Sequence, residues 1–167
     1  MTDPAVVQLH LLRHAHAGDP EGWTGPDEAR PLSAKGEKQS ERLGRFLASV
    51  GFKPDVIITS PKVRAARTAE IVAEALDIEV RVDERLGREL DLVAIEAILF
   101  DAGEPVRPVL VGHDPDFSEL AALLTGAPRL PMRKAALARI DVERPLASGT
   151  GVLRWLVPPD LLQPKGS

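Results

Sequence analysis

Three short apolar runs constrain this chain more than any other feature. They are "VVQLHLL" at residues 6–12, "DVIITS" at 55–60 and "PVLVGHD" at 108–114. Each is nearly continuous rather than alternating, and each is too short for a buried helix. Such runs suit strands covered on both faces, the pattern of a largely parallel sheet. Longer segments with helical spacing lie between them. "LSAKGEKQSERLGRFLASVG" offers Ser33 as N-cap, an apolar stripe of Leu43, Phe46, Leu47 and Val50, and Gly51 as its stop. "SPKVRAARTAEIVAEAL" offers Ser60 as cap, Pro61 in the first turn and a stripe of Ala65, Ala69, Val72 and Leu76. Residues 91–100 and 117–124 predict further helices, and "IEVRV" (78–82) a short strand. "AALARIDV" and "VLRWLV" alternate enough for late strands at the sheet edge. Strands alternating with helices predict a three-layer α/β sandwich, its central sheet mostly parallel and helices on both faces.

The length, 167 residues, suits one domain around one core. A single domain is therefore expected over 1–167, with its core at about 6–157 and a C-terminal tail at 158–167 that frays in "QPKGS". The formal charge of −4 gives no overall field for nucleic acid or an anionic membrane, so an anion site must be a local cluster of cations. There is no cysteine, which excludes disulfides, thiolate metal sites and cysteine nucleophiles and fits a reducing compartment. No apolar run approaches a membrane helix, and Asp3 and Pro4 precede the first run without Lys or Arg. A cytoplasmic protein without a signal peptide is the expectation.

In open α/β sheets ligands bind beyond the carboxyl ends of the strands. Three polar clusters fall there: Arg13-His14, Ser60 to Arg64, and Gly112-His113. If the strands are parallel, these clusters share one edge and form a small cationic bowl. Arginine's planar fork matches phosphate oxygens, and histidine serves near neutral pH as nucleophile, acid, base or donor. The helix beginning near Pro61 turns its positive end toward the same edge.

Other residues have plainer readings. His16 is twice as consistent with an exposed loop histidine as with a pocket lining, and His10, inside the first strand, reads as structural. Arg67 reads as solvated or ion-paired. Arg30 reads as an anchor for the 18–31 loop, and Trp23 as a lid or a packing residue.

The motifs "LLRHAHA", "TSPKVRAARTAE" and "VGHDPDF" together resemble the signatures of the histidine phosphatase superfamily, also called phosphoglycerate mutase-like. "RHAHA", "RPLSAKG", "KAALARI" and the short length resemble its SixA-type phosphohistidine phosphatase branch. The resemblance spans about 6–157 and implies a role for each matching residue. His14 is the nucleophile and is transiently phosphorylated. Arg13, Arg64 and His113 hold the phosphoryl oxygens. No metal or other cofactor is implied. Ala15 stands where much of the superfamily has Gly, a departure the SixA-type branch tolerates.

The general acid is open. Asp83, Glu84 and Glu89 follow the third predicted strand, and Glu84 is the favoured candidate, balanced against a plain surface carboxylate. An imidazole leaving group, with a pKa near 6.5, departs more easily than an alkoxide and needs a proton donor less. The expected substrate is a phosphohistidine protein or a small phosphorylated molecule, without nucleic acid or membrane. Two alternatives remain: a metal-dependent phosphohydrolase using His14, His16, His113 and Asp114, and a non-catalytic phosphate- or phosphoprotein-binding module. A mutase would need a retained acid and larger insertions over the pocket.

Overall fold

A computed structural model describes residues 5–164. Its centre is one six-stranded sheet. The strands are β1 (Val6–Arg13), β2 (Val56–Thr59), β3 (Val80–Val82), β4 (Pro108–Gly112), β5 (Leu137–Glu143) and β6 (Val152–Val157). Their order is β3-β2-β4-β1-β5-β6. The first four in that order are parallel, whereas β5 runs antiparallel to β1 and β6 antiparallel to β5. The two late strands thus close one side of the sheet, but β5 is internal and only β6 is an edge. The layered architecture matches the expected mostly parallel α/β sandwich.

Four helices cover the two faces: α1 (Ala34–Ser49), α2 (Val63–Leu76), α3 (Leu92–Asp101) and α4 (Asp116–Thr125). Alternation along β1 sorts its side chains between two cores. Leu9 and Leu11 join Ile95, Ile98, Phe117 and Leu120 under α3 and α4. Leu12 instead joins Leu43, Leu47, Ala69 and Val72 under α1 and α2. A strand with apolar partners above and below has no polar face, which is why "VVQLHLL" reads as a continuous run. Truncating one of these fully buried leucines to Ala would cost about 2–5 kcal/mol.

Local chemistry sets the helix ends. Ser33 caps α1 by accepting from the Gly36 amide, as expected. A Cβ at Gly36 would strike the His16 carbonyl, so glycine lets α1 start against the loop that leaves β1. Gly51 ends that segment with φ +71. The second helix departs from expectation. It begins at Val63 with Lys62 as N-cap and no capping side chain, so Ser60 is not its cap and Pro61 precedes it. The 18–31 loop contains two 3-10 turns, Pro20–Gly22 and Asp27–Ala29. Within the stretch expected as a tail, Pro159–Leu162 forms another 3-10 turn, and Leu162 packs on the α1/α2 core. Asp3, Pro4 and residues 165–167 lie outside the described residues. Among the described residues no helix is long and apolar enough to cross a membrane.

Candidate active site

The parallel register brings the polar strand ends together. Arg13 pairs with Gly112 across β1 and β4, and Thr59 with Val111 across β2 and β4. The residues that follow therefore share one edge. The ring centroids of His14 and His113 stand 5.2 Å apart at 53°.

His14 is 6% exposed. Its Nδ1 lies 2.7 Å from its neighbour's carbonyl, Ala15 O. A carbonyl only accepts, so Nδ1 carries the hydrogen and Nε2 keeps its lone pair. Burial lowers the His14 pKa to about 4; the Ala15 carbonyl opposes that shift, and the Arg64, Arg13 and Lys134 cations add to it. The ring is neutral at pH 7, with one nitrogen fixed as donor and the other available as a nucleophile. Thr68 holds this corner by accepting from the Ala15 amide at 3.1 Å and donating to the Arg64 carbonyl at 2.8 Å.

The two arginines are held by their outer nitrogens. Arg13 Nη1 donates to the Met132 carbonyl at 2.8 Å and lies 3.4 Å from Asp114. Arg64 donates to Asp27 twice, from Nη1 to the backbone carbonyl at 2.8 Å and from Nη2 to the carboxylate at 2.9 Å. The hydrogen bond from Arg30 is the largest influence and lowers the Asp27 pKa; burial opposes it, and the hydrogen bond from Arg64 and the charges of both arginines hold it below the usual carboxylate value. Arg30 also donates to the Ala17 carbonyl, so it ties the 18–31 loop down, which is the anchoring role expected of it.

His113 Nε2 lies 2.7 Å from Ser60 Oγ, and the same hydroxyl accepts from the Lys62 amide. Ser60 thus orients the second histidine rather than capping a helix. Burial first, then His14, Lys62 and Arg64, lowers the His113 pKa to about 3. Gly112 is required just before it, because a Cβ there would press into the Phe117 ring.

Three buried side-chain nitrogens lack a hydrogen-bond partner among the described residues: Arg13 Nε, Arg64 Nε and His113 Nδ1. All three belong to this cluster. Buried polar groups are nearly always satisfied, and orphans cost about 1–3 kcal/mol each. Orphan nitrogens beside a neutral, oriented imidazole are groups whose hydrogen bonds an anion would complete.

Glu84 is not drawn into this network. It lies in the 3-10 turn Glu84–Gly87, is exposed, and pairs with Arg88 at 3.2 Å. Asp83 caps that turn and pairs with Arg85. His16 is partly buried, with Nδ1 2.6 Å from Ser33 Oγ, and it belongs to the start of α1. Arg67 is ion-paired with Glu37 and Glu70, as expected. Trp23 is 38% exposed and donates to the Pro26 carbonyl. Among the described residues no three His, Asp or Glu side chains group as a metal site would need.

Sequence reasoning misses Asp27, Ser60 in its actual role, and Lys134. Lys134 sits in the turn whose next amide, Ala135 N, donates to the carbonyls of Arg13 and His14. Ala135 adopts φ +65 to do so. Burial, together with Arg13, Arg30, Arg64 and Lys35, lowers the Lys134 pKa. The only sequence signal is its position within "KAALARI", which by itself gives the cation no role.

A family model described as histidine phosphatase superfamily (branch 1) matches residues 9–111. An uncharacterized protein of Picosynechococcus sp. is 36% identical over 118 residues, 69% of this chain and 71% of that protein. A probable phosphoglycerate mutase GpmB of Salmonella paratyphi B is 28% identical over 204 residues, covering 91% of each. Among solved structures, the protein histidine phosphatase SixA complexed with tungstate superposes with a TM-score of 0.80 at 23% identity, covering 94% of this chain and all of that one.

Proposed function

The chain belongs to the histidine phosphatase superfamily (branch 1), which makes it a phosphatase by class, and from that premise we propose that it removes phosphoryl groups through a phosphohistidine formed on His14, with phosphohistidine on a protein as the preferred substrate and small phosphorylated molecules as the wider range. The observation that carries the reading is the set of orphan nitrogens on Arg13, Arg64 and His113 around a neutral His14. The similar SixA structure is a complex with tungstate, a tetrahedral oxyanion like phosphate, and a like fold holding such an anion supports the same use of this bowl.

In the proposed first step His14 Nε2 attacks phosphorus in line with the leaving group. The new bond is N–P, and the substrate's own bond to phosphorus breaks. A phosphohistidine substrate protonated on its second ring nitrogen departs as neutral imidazole, and its ring keeps that proton. Positive charge passes to the His14 ring, where Nδ1–H against the Ala15 carbonyl stabilises it. Arg13, Arg64 and His113 donate to the three equatorial oxygens as charge shifts among them. In the second step water attacks phosphorus, the N–P bond to His14 breaks, and the water proton leaves with phosphate and solvent. No residue of the bowl need supply a proton to an imidazole leaving group. Glu84, exposed and paired with Arg88, is assigned to ester substrates, whose alkoxide leaving group does need one.

The deciding experiment compares wild type and His14→Ala on a phosphohistidine protein, a sugar phosphate and p-nitrophenyl phosphate, with acid-quench trapping of labelled enzyme. Turnover and an acid-labile phosphoenzyme are expected in wild type only. Substantial turnover by His14→Ala would sink the reading.

A further inference from the structure

A second cavity opens on the α1/α2 face, toward the opposite end of β1 from the phosphoryl site. It has a volume of about 520 Å³ and is lined by His10, Phe46, Phe52, Trp155, Lys53 and Arg107, among others. The chain has two tryptophans and four phenylalanines, and three of these line this one cavity. Half of the chain's six Trp and Phe side chains therefore meet here, while Phe117 lies in the α3/α4 core and Trp23 and Phe100 stand elsewhere on the surface. Phe52 meets His10 edge-on at 4.9 Å, while Trp155 stands 5.7 Å from His10 and 6.5 Å from Phe52. His10 is 1% exposed and donates from Nδ1 to the Pro108 carbonyl, which fixes the ring as a firm floor. Trp155 is half-buried and presents a partly open aromatic surface.

The charged residues that line the cavity are all cations, while the nearby carboxylates Asp141 and Asp55 are engaged with Arg139 and with the Val106 and Arg107 amides. Among the described residues no carboxylate lines the cavity, although the chain as a whole carries a formal −4. Arg139 also lines it, but Asp141 takes its guanidinium at 2.9 and 3.1 Å. Lys53 and Arg107 are exposed, and neither side chain forms an ion pair among the described residues. Aromatic walls with two uncommitted cations at the rim suit a planar ring that carries an anionic group. The ring stacks on Trp155 and Phe52, and the anion pairs with Arg107 and Lys53.

We propose that this cavity is a binding site for a nucleoside monophosphate or a close relative, a planar base bearing a single phosphate, separate from the phosphoryl site. His10 lies within β1 and His14 directly follows its last residue, four positions on, about 13 Å along an extended chain. One small ligand cannot fill both sites, and the two can be occupied together.

The test is a fluorescence titration of Trp155 in a Trp23→Phe background, with saturating vanadate present throughout to occupy the phosphoryl site. Adenosine and guanosine monophosphate are the probes. The matching nucleosides and inorganic phosphate are the partial ligands. A saturable change is expected with the nucleotides, a weaker one with the nucleosides and none with phosphate. Combined Lys53→Ala and Arg107→Ala should weaken nucleotide binding by about tenfold. Both residues are exposed, so the variant keeps its fold, which circular dichroism checks. The proposal is overturned if no probe gives a saturable change with vanadate present, including where a change appears only without it. It is equally overturned if the double variant binds nucleotide as tightly as its parent.

Discussion

His10 and His14 stand on the same strand run, four residues apart, and burial pushes both to a pKa of about 4. Both donate from Nδ1 to a backbone carbonyl, Pro108 for His10 and Ala15 for His14. By burial, tautomer and titration they are nearly the same residue. Their neighbours separate them. His10 is boxed by Phe52 and Trp155. His14 faces His113 and two arginines that carry unpartnered buried nitrogens. A perturbed histidine therefore marks a reaction site only when the groups around it are unsatisfied in a way that a substrate would satisfy.

The widest separation should come from replacing each histidine. His14→Ala should lower turnover by more than about 10³-fold, since it removes the only nucleophile on the covalent route. Its melting temperature should fall less than that of His10→Ala, because the lost ring packs beside unpartnered polar groups rather than two aromatic rings, although the buried Nδ1 bond to Ala15 goes with it. His10→Ala should do the reverse: folded protein should still form phosphoenzyme on His14, while melting temperature drops through lost packing and a lost buried hydrogen bond. Kinetics and a melting curve on the two variants check both halves.

Next in size are the clamps. Arg64→Ala or Arg13→Ala should cost about 10²–10³-fold in kcat, about 3–4 kcal/mol, by removing a donor that acts on charge developing in the transition state. Arg64→Lys should recover little, because a lysine cannot hold Asp27 and present a second nitrogen to the phosphoryl group at once. Steady-state kinetics on p-nitrophenyl phosphate would show it. A full recovery by lysine would mean that charge alone matters and that the fork does not.

These residues are also the legible part of the molecule. Arg13, His14, Arg64 and His113 each follow an apolar strand, and parallel pairing at a strand-end edge needs only the strand pattern to be recognised. The same pattern predicts the sandwich. What sequence does not reveal lies in loops and turns whose geometry depends on distant partners. Asp27 reaches Arg64 across 37 positions from a loop with no periodicity. Lys134 precedes a left-handed Ala135 docked on the Arg13 and His14 carbonyls, and nothing in an alanine advertises that conformation. Ser60 looks like a cap because Ser-Pro before a helix usually is one, but in this fold its hydroxyl orients His113. Glu84 fits a resemblance by position and comes to rest on Arg88.

Titration treats the two histidines alike where mutation does not. His10, His14 and His113 all have pKa values depressed below the ordinary histidine value of 6.5. Between about pH 6.5 and 4 the unfolded chain binds protons that the folded chain refuses, so stability falls as pH falls through that window. Each kcal/mol lost should lower Tm by about 2–4 °C in a chain of this size. His10→Ala and His14→Ala should each flatten the acid side of the Tm profile, by similar amounts. Activity should respond less than stability there: with His14 still neutral at about pH 5.5, kcat/KM should show no fall near the ordinary value of 6.5. A fall centred there would mean that the bowl is more hydrated than its burial implies.

On a phosphohistidine substrate the smallest effect expected is at Glu84, and it tests how far the site depends on its leaving group. Glu84→Gln removes an exposed carboxylate whose contact is Arg88, so stability should hold within about 0.5 kcal/mol. On a phosphohistidine protein, where imidazole departs without help, kcat/KM should change by no more than about twofold. On a sugar phosphate the alkoxide needs a proton, and general acids contribute about 10²–10⁴-fold where they act. A loss on the ester alone would make Glu84 a donor that swings in from Arg88. Equal, small changes on both substrates would leave the bowl of Arg13, His14, Arg64 and His113 acting alone, and would predict slow ester turnover even in the wild type.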